Sequence, residues 1–238
     1  MMKSDMTCVW FQYEIGKEYS LKGKFEICRN GFHFCENPFD CLYYYNNIKG
    51  DMRLFIIEAS GKVITEGNKS VTDKIKIIEE ITDIEKFFDE NIDNFMVNYY
   101  GLSSSQKLSE GFIEKHSDKI NWRTLSACQK LSECFIEKHC DKVDWDYMSA
   151  NQKLSEGFIE KHSDKVDWDN ISEYQKLSES FMEKYCDKIN WDLVSTYQTL
   201  SEDFIEKHSD KVNWNYISTF QTLSEEFRKK YNNHDKII

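Results

Sequence analysis

LSEGFIEKHSDKVDW, residues 154–168, recurs with few changes from Leu108, Leu131, Leu177 and Leu200. The tryptophans Trp122, Trp145, Trp168, Trp191 and Trp214 stand 23 residues apart. Tyr99 takes the same place in an earlier copy, because NYYGLSSSQKLS aligns with NWRTLSACQKLS. Six units therefore start at 99, 122, 145, 168, 191 and 214. A fixed period of this length marks a solenoid, in which each unit is stable because its neighbours cover its apolar face.

Inside a unit the sequence carries two helix starts. In the copy that opens at Trp145, Asp144 is the N-cap, and Val143 and Met148 have the spacing of a hydrophobic staple. Ser155 then caps a second helix, with Leu154 and Ile159 as its staple. Glu156 falls in the first turn and Lys165 in the last, each on its favourable side of the helix dipole. Phe158, Ile159, His162 and Val166 follow the helical period. Such a helix is too short to persist alone in water, so stacking must hold it.

Columns through the six units separate architecture from possible function. Serine occupies 103, 126, 149, 172, 195 and 218, a small side chain that lets helices approach. Glutamine occupies 106, 129, 152, 175, 198 and 221. Gln129, Gln152, Gln175 and Gln198 are expected to bridge backbone groups at the turns between helices. His116, His139, His162 and His208 share their column with Tyr185 and Tyr231, which argues for packing rather than metal binding. Another column reads Ser105, Cys128, Asn151, Tyr174, Tyr197, Phe220. It lies three residues after the apolar Ile171, Val194 and Ile217, so the expected arrangement is packing onto the next unit. Turned outward, Tyr174, Tyr197 and Phe220, with Tyr147 and Tyr216, are the candidate partner-binding residues, since such rings favour interface cores. In the last unit Arg228 replaces an isoleucine, as a polar terminal cap would.

The first hundred residues read differently. Short segments rich in Val, Ile, Phe and Tyr (7–14, 25–28, 32–35, 53–59, 62–65 and 74–78) alternate with glycines, a strand-and-turn pattern. Asn37 and Pro38 open one helix. Thr82 and Glu85 have capping-box spacing for a connecting helix. The expected organisation is a small α+β domain over 1–81, a capping connector over 82–98, and an all-α solenoid of two-helix repeats over 99–238.

The strings TCVWFQYEIGKEYS, CRNGFHFCENPFDCLYYY and GKVITEGNKSVTDKIKI resemble an uncharacterised domain family of bacteriophages, giant viruses and bacteria, over about residues 5–80. The resemblance implies no activity, but it does imply attachment to a tandem-repeat tail. A fainter likeness, in the glycine-aromatic strand, the helix ending in aromatics and the FIIEA strand, is to ADP-ribosyltransferase-type folds. If the chain were such an NAD-dependent enzyme, His33, Tyr43, Tyr44 and Glu58 would be its site residues. Otherwise no catalytic residue, cofactor or metal is expected: the cysteines lack a CxxC pair, and no phosphate-binding loop or nucleophile motif is recognisable.

The net charge is −11, and an acidic chain repels phosphate backbones, which excludes nonspecific nucleic-acid binding. No apolar run reaches the ~20 residues that a membrane span needs, and the start MMKSDMTCVW lacks a secretory pattern. Single thiols at permissive repeat positions, such as Cys134, Cys140 and Cys186, suit a reducing compartment. The expected setting is the cytoplasm, a host's if the protein is viral. The expected function is non-enzymatic: an accessory protein that binds a host protein through its repeats or its head. The alternatives are the NAD-dependent transferase and an acidic nucleic-acid mimic that inhibits a nuclease.

Overall fold

The computed structural model describes residues 7–8, 11–44, 53–95, 99–105 and 107–232. Gln106 lies outside these residues, as do the side chains of Tyr43 and Tyr44. The chain forms two compact units, residues 1–129 and 130–238. The first rungs thus associate with the head, and the compact unit reaches well past the end of its sheets.

In the first unit β1 (Thr7–Cys8) pairs with β2 (Phe11–Gln12). Two three-stranded antiparallel sheets follow. One runs in the order β3 (Glu18–Ser20), β8 (Lys74–Ile81), β5 (Leu54–Ala59), and the other β4 (Phe32–Phe34), β7 (Lys69–Thr72), β6 (Val63–Glu66). Asp73 alone separates β7 from β8, so a single bend passes the chain from one sheet to the other. Asp73 Oδ1 accepts from Lys62 N at 2.9 Å and fixes the neighbouring turn there. Tyr13, Phe32, Ile75 and Ile77 form the core, with Tyr19, Leu21, Phe55 and Ile57 against it.

Three sequence expectations change here. Residues 25–28 are not a strand; a bridge between Glu26 and Asn30 closes them into a turn. The strands β3 and β7 were not legible. β7 is KSVT, polar enough to pass for a turn, yet Ser70 and Thr72 are buried because β7 is the central strand. Its burial comes from pairing distant in sequence, which composition does not record.

Helix α1 (Pro38–Tyr44) starts where expected, with Asn37 Oδ1 accepting from Phe39 N at 3.0 Å. Its Phe39 stacks on Phe88 of α2 (Ile84–Asn91) with ring centroids 4.7 Å apart, and both rings are fully buried. The cap of α2 is Asp83, not Thr82: Asp83 Oδ1 accepts from Lys86 N at 2.9 Å. Glu85 instead reaches forward to Ser109, accepting from its backbone N–H and, at 2.6 Å, from its hydroxyl. That makes α2 the second helix of a degenerate rung, bonded to α4 (Glu110–Lys115), which α3 (Tyr99–Ser105) precedes and α5 (Trp122–Cys128) follows.

The second unit is the regular solenoid. Its helices are α6 (Glu133–Lys138), α7 (Trp145–Asn151), α8 (Glu156–Lys161), α9 (Trp168–Tyr174), α10 (Glu179–Lys184), α11 (Trp191–Tyr197), α12 (Glu202–Lys207), α13 (Trp214–Phe220) and α14 (Glu225–Asn232). The first helices of successive units, α7, α9, α11 and α13, pack side by side. Asp144 and Ser155 cap as the sequence predicts, accepting from Tyr147 N at 3.3 Å and Phe158 N at 3.2 Å. The second helix is shorter than expected. It ends at Lys161, and His162 is its C-cap. The chain then tightens into a turn in which Lys165 N and Val166 N both donate to His162 O. Lys165 therefore leaves the helix and places its ammonium 5.8 Å from the Trp145 ring centroid.

Three polar columns join rung to rung. Gln175 Oε1 accepts from Leu154 N at 3.1 Å, while its Nε2 donates to Ser149 O and Gln152 O at 2.8 and 2.7 Å. Gln198 and Gln221 repeat the arrangement one and two rungs on. Gln152 Oε1 accepts from Leu131 N at 3.1 Å, and in the first unit Gln129 joins Leu108 N to Ser103 O. One side chain thus satisfies three backbone groups that the ends of such short helices leave open. The serine column does more than keep helices close. Ser172 Oγ donates to Trp168 O at 2.6 Å and accepts from Asn190 N, the cap residue of the next rung, at 2.9 Å. The third column is Glu133, Glu156, Glu179 and Glu202, each accepting from the N-cap serine of the following rung. It is a capping box closed between neighbours instead of within one helix.

Apolar columns fill the space between. Ile159, Ile171, Met182, Val194, Ile205 and Ile217 are fully buried, each worth ~1.5–3 kcal/mol relative to exposure. Arg228 stands where Ile159, Met182 and Ile205 stand in earlier rungs and is half-buried, so the last rung presents a cation where the others present an apolar face. Among the described residues no helix is long and apolar enough to cross a membrane.

Candidate partner-binding surface

The short first helix of each repeat decides what reaches solvent. Its positions four and five, Ile171 and Ser172 in α9, are buried against neighbouring rungs. Position seven then turns away from that face. Tyr174, Tyr197 and Phe220 are each 56% exposed. This overturns the expectation that the column packs onto the next unit. On a helix of 3.6 residues per turn, position seven is only one turn from position four in height but rotated off the packed face. The next rung covers positions four and five and stops there. Tyr216 is also exposed, and its ring lies 6.2 Å from that of Phe220. Tyr147 is half-buried, and its rung carries Asn151 in place of an aromatic, so it stands apart from the strip.

The strip therefore spans three consecutive rungs. Tyr174 hydrogen bonds to Glu173, which raises its phenol above the ordinary value, and the Tyr197 phenol adds to that rise. α7, α9, α11 and α13 carry Asp146, Asp169, Glu173 and Asp192 but no lysine or arginine. None of these four carboxylates forms an ion pair among the described residues. Asp169 and Asp192 each accept from an asparagine of the next rung, Asn190 and Asn213, at 2.8 and 2.7 Å.

Lys153 and Lys176 stand exposed two residues after α7 and α9, and the paired cations lie on the second helices and the loops after them. Lys161 pairs with Glu137 at 2.9 Å, and Lys184, Lys207 and Lys230 pair in the same way with Glu160, Glu183 and Glu206. These bonds hold the Glu137 and Glu183 carboxyls below their usual range, through the lysine first. Lys165, Lys188 and Lys211 sit over Trp145, Trp168 and Trp191. The tryptophans are themselves half-buried framework: Trp145, Trp168, Trp191 and Trp214 stack on Phe158, Phe181, Phe204 and Phe227. Each indole also donates to the carbonyl five residues earlier, as Trp122 does to Ser117 O at 2.8 Å.

The histidine column is packing. His162 Nε2 donates to Glu137 Oε2 at 2.7 Å and His116 Nε2 to Asp89 Oδ1 at 2.8 Å. A cleft of about 370 Å³ lined by Asp89, Asp93, Lys115, His116, Asp118 and Lys119 surrounds the second pair, and in it Lys115 and His116 pair with Asp89 and Lys119 with Asp93. His208 Nε2 is buried with no hydrogen-bond partner among the described residues, and burial lowers its affinity for a proton.

Of the transferase candidates, the side chains of His33 and Glu58 are described, and they lie in different sheets. His33 Nε2 accepts from Cys28 N at 2.9 Å and Nδ1 donates to Gly31 O at 3.1 Å, so both ring nitrogens close their own loop. Burial lowers its basicity, offset in part by the bond to Gly31 O. Cys28 has φ 62°, a left-handed conformation that the histidine bond helps hold. Glu58 lies exposed on β5, in the other sheet. A feature with no sequence signal is the pair Cys35 and Cys41. Their thiols share a hydrogen bond that lowers Cys41 to about 7 and raises Cys35. Cys41 is buried in α1. Among the described residues no group of three or more His, Cys, Asp or Glu side chains is arranged to hold a metal ion.

Residues 1–90 match a family model described as a domain of unknown function, DUF7666. That span ends within α2, and so takes in the helix that caps the first rung. Comparison with curated proteins gives no match, and comparison with solved structures gives none.

Proposed function

We propose that this protein is a non-enzymatic interaction module that holds a protein partner along the first-helix face of its repeats. One observation carries the reading: three aromatic side chains in consecutive rungs are each 56% exposed. Apart from Tyr216, the other aromatic side chains of these rungs are buried or half-buried. Exposed large apolar groups aligned on a repeat surface are what solenoids use to make extended contacts, and tyrosine and phenylalanine favour the desolvated centre of an interface. The strip plays no part in holding the rungs together, since glutamine, serine, glutamate and the buried apolar columns do that. We further read the partner as a host protein and the setting as cytoplasmic, in keeping with the bacteriophage and viral likeness of the head.

The experiment compares the full chain with a triple variant, Tyr174→Ser, Tyr197→Ser and Phe220→Ser, immobilised side by side in lysate of the cell type that makes the protein. Retained proteins are quantified by mass spectrometry. At least one protein should be held by the natural sequence and lost at least tenfold by a variant whose circular dichroism is unchanged. Equal retention by both chains would remove the strip from function.

A further inference from the structure

We infer that the strip is built for a cationic, arginine-bearing extended segment of the partner. This deepens the interaction reading and rests on it. The charge distribution within residues 130–238 is the ground. Fifteen basic and 22 acidic side chains fall in this span, and their placement is not mixed. On the second helices and the loops after them, glutamates and lysines neutralise one another from rung to rung, and further lysines lie over the tryptophan rings. On the first helices the carboxylates of Asp146, Asp169, Glu173 and Asp192 form no ion pair among the described residues. Asp169 and Glu173 share α9 with the exposed ring of Tyr174, whose hydroxyl bonds to Glu173, and Asp192 shares α11 with the exposed ring of Tyr197.

A ring face with a carboxylate beside it selects a planar cation. A guanidinium lies flat on tyrosine or phenylalanine while its edge N–H groups donate to the acid. Lysine offers the charge without the flat face. A polyanion is repelled by the same carboxylates, and an uncharged apolar segment leaves them desolvated and unpaired, which is costly. The geometry also sets a spacing. Neighbouring packed helices lie roughly 8–10 Å apart, and a chain in the polyproline II conformation advances ~3.1 Å per residue with three residues per turn. Every third side chain of such a peptide returns to the same face and meets the next ring, so three rings read about seven residues.

The probe is a fluorescein-labelled peptide of Gly and Ser with arginines at positions i, i+3 and i+6, titrated into the full chain by fluorescence anisotropy. Three comparison peptides are used: citrulline for arginine, which keeps shape and removes charge; lysine for arginine; and the same arginines placed adjacently. The inference expects citrulline to weaken binding at least tenfold. It expects lysine and the adjacent arrangement each to weaken it severalfold, and added salt to weaken it progressively. Asp169→Asn with Asp192→Asn keeps an acceptor for Asn190 and Asn213 while removing charge, and should weaken the arginine peptide at least fivefold. Asn215→Lys places a cation on the exposed face beside the strip and should do the same with no change in the rungs. Binding of citrulline and arginine peptides alike, or undiminished binding by the charge variants, overturns the inference. If the triple aromatic variant still loses a lysate partner while the arginine peptide fails, the surface stands and the cationic chemistry falls. If the lysate partner is retained but the arginine peptide discriminates as stated, the failure lies with the wider functional reading.

Discussion

Replacing Gln175 by leucine tests the idea that one amide staples each rung to the next. Gln175 is 5% exposed and contacts three backbone groups of the preceding unit: Leu154 N at 3.1 Å, Ser149 O at 2.8 Å and Gln152 O at 2.7 Å. Leucine has similar bulk and no polar atoms. It leaves one N–H and two carbonyls buried in a dry seam, at about 1–3 kcal/mol for each group left unsatisfied. Allowing the carbonyls some relaxation, we expect a loss of about 3–6 kcal/mol. Against the ~5–15 kcal/mol that keeps most domains folded, such a loss would dominate the stability of its neighbourhood. Because solenoid stability is a sum of rung and nearest-neighbour terms, the effect should be local. Native-state hydrogen exchange reads it directly. The Leu154 amide should exchange at least about a hundredfold faster, since each ~1.4 kcal/mol is tenfold, while Leu200 N, held by Gln221, should change much less. Urea unfolding followed by tryptophan fluorescence supplies the global measure. A loss below about 1 kcal/mol with Leu154 still protected would refute the staple and return the glutamine column to a role outside the fold.

Other perturbations address other parts of the chain. His208 is buried neutral, so its folded pKa lies below its unfolded value. The unfolded chain then binds the extra proton, and the stability this group contributes at neutral pH is lost as pH falls below the ordinary histidine value of ~6.5. His208→Tyr, the residue the column already uses at Tyr185 and Tyr231, should therefore flatten the decline of melting temperature between pH 7 and 5; an unaltered slope would contradict this. Arg228→Ile extends the apolar column of Ile159, Met182 and Ile205 into the last described rung, and sedimentation velocity should show more concentration-dependent association than for the natural chain. Gly31 has φ 131°, and an added Cβ would run into the Val71 side chain. Gly31→Ala should unfold the head, measured as lost near-ultraviolet dichroism, while the helical signal of residues 130–238 is largely kept.

The repeat was legible because it is local and redundant. Asp144 and Ser155 announce helix starts within four residues of the groups they cap, and the 23-residue period shows which columns must be inside. Six copies let each position be judged against its equivalents, which is how the His/Tyr column could be assigned to packing. The glutamine bonds were foreseeable for the same reason, since helices this short leave many backbone groups open.

What only the tertiary structure decided lies between rungs and between strands far apart in sequence. Glu156 reads as a first-turn acid of its own helix, yet its partner is Ser178, in the following unit. KSVT reads as a turn and is the central strand of a sheet. Tyr174, Tyr197 and Phe220 stand one helical turn past a buried position, and the sequence by itself favoured burying them too. Their exposure depends on where the adjacent rung ends, a matter of how two backbones are offset in space. Hydrophobic period tells a residue which side of its helix it occupies; only the neighbour's position tells it whether that side is covered.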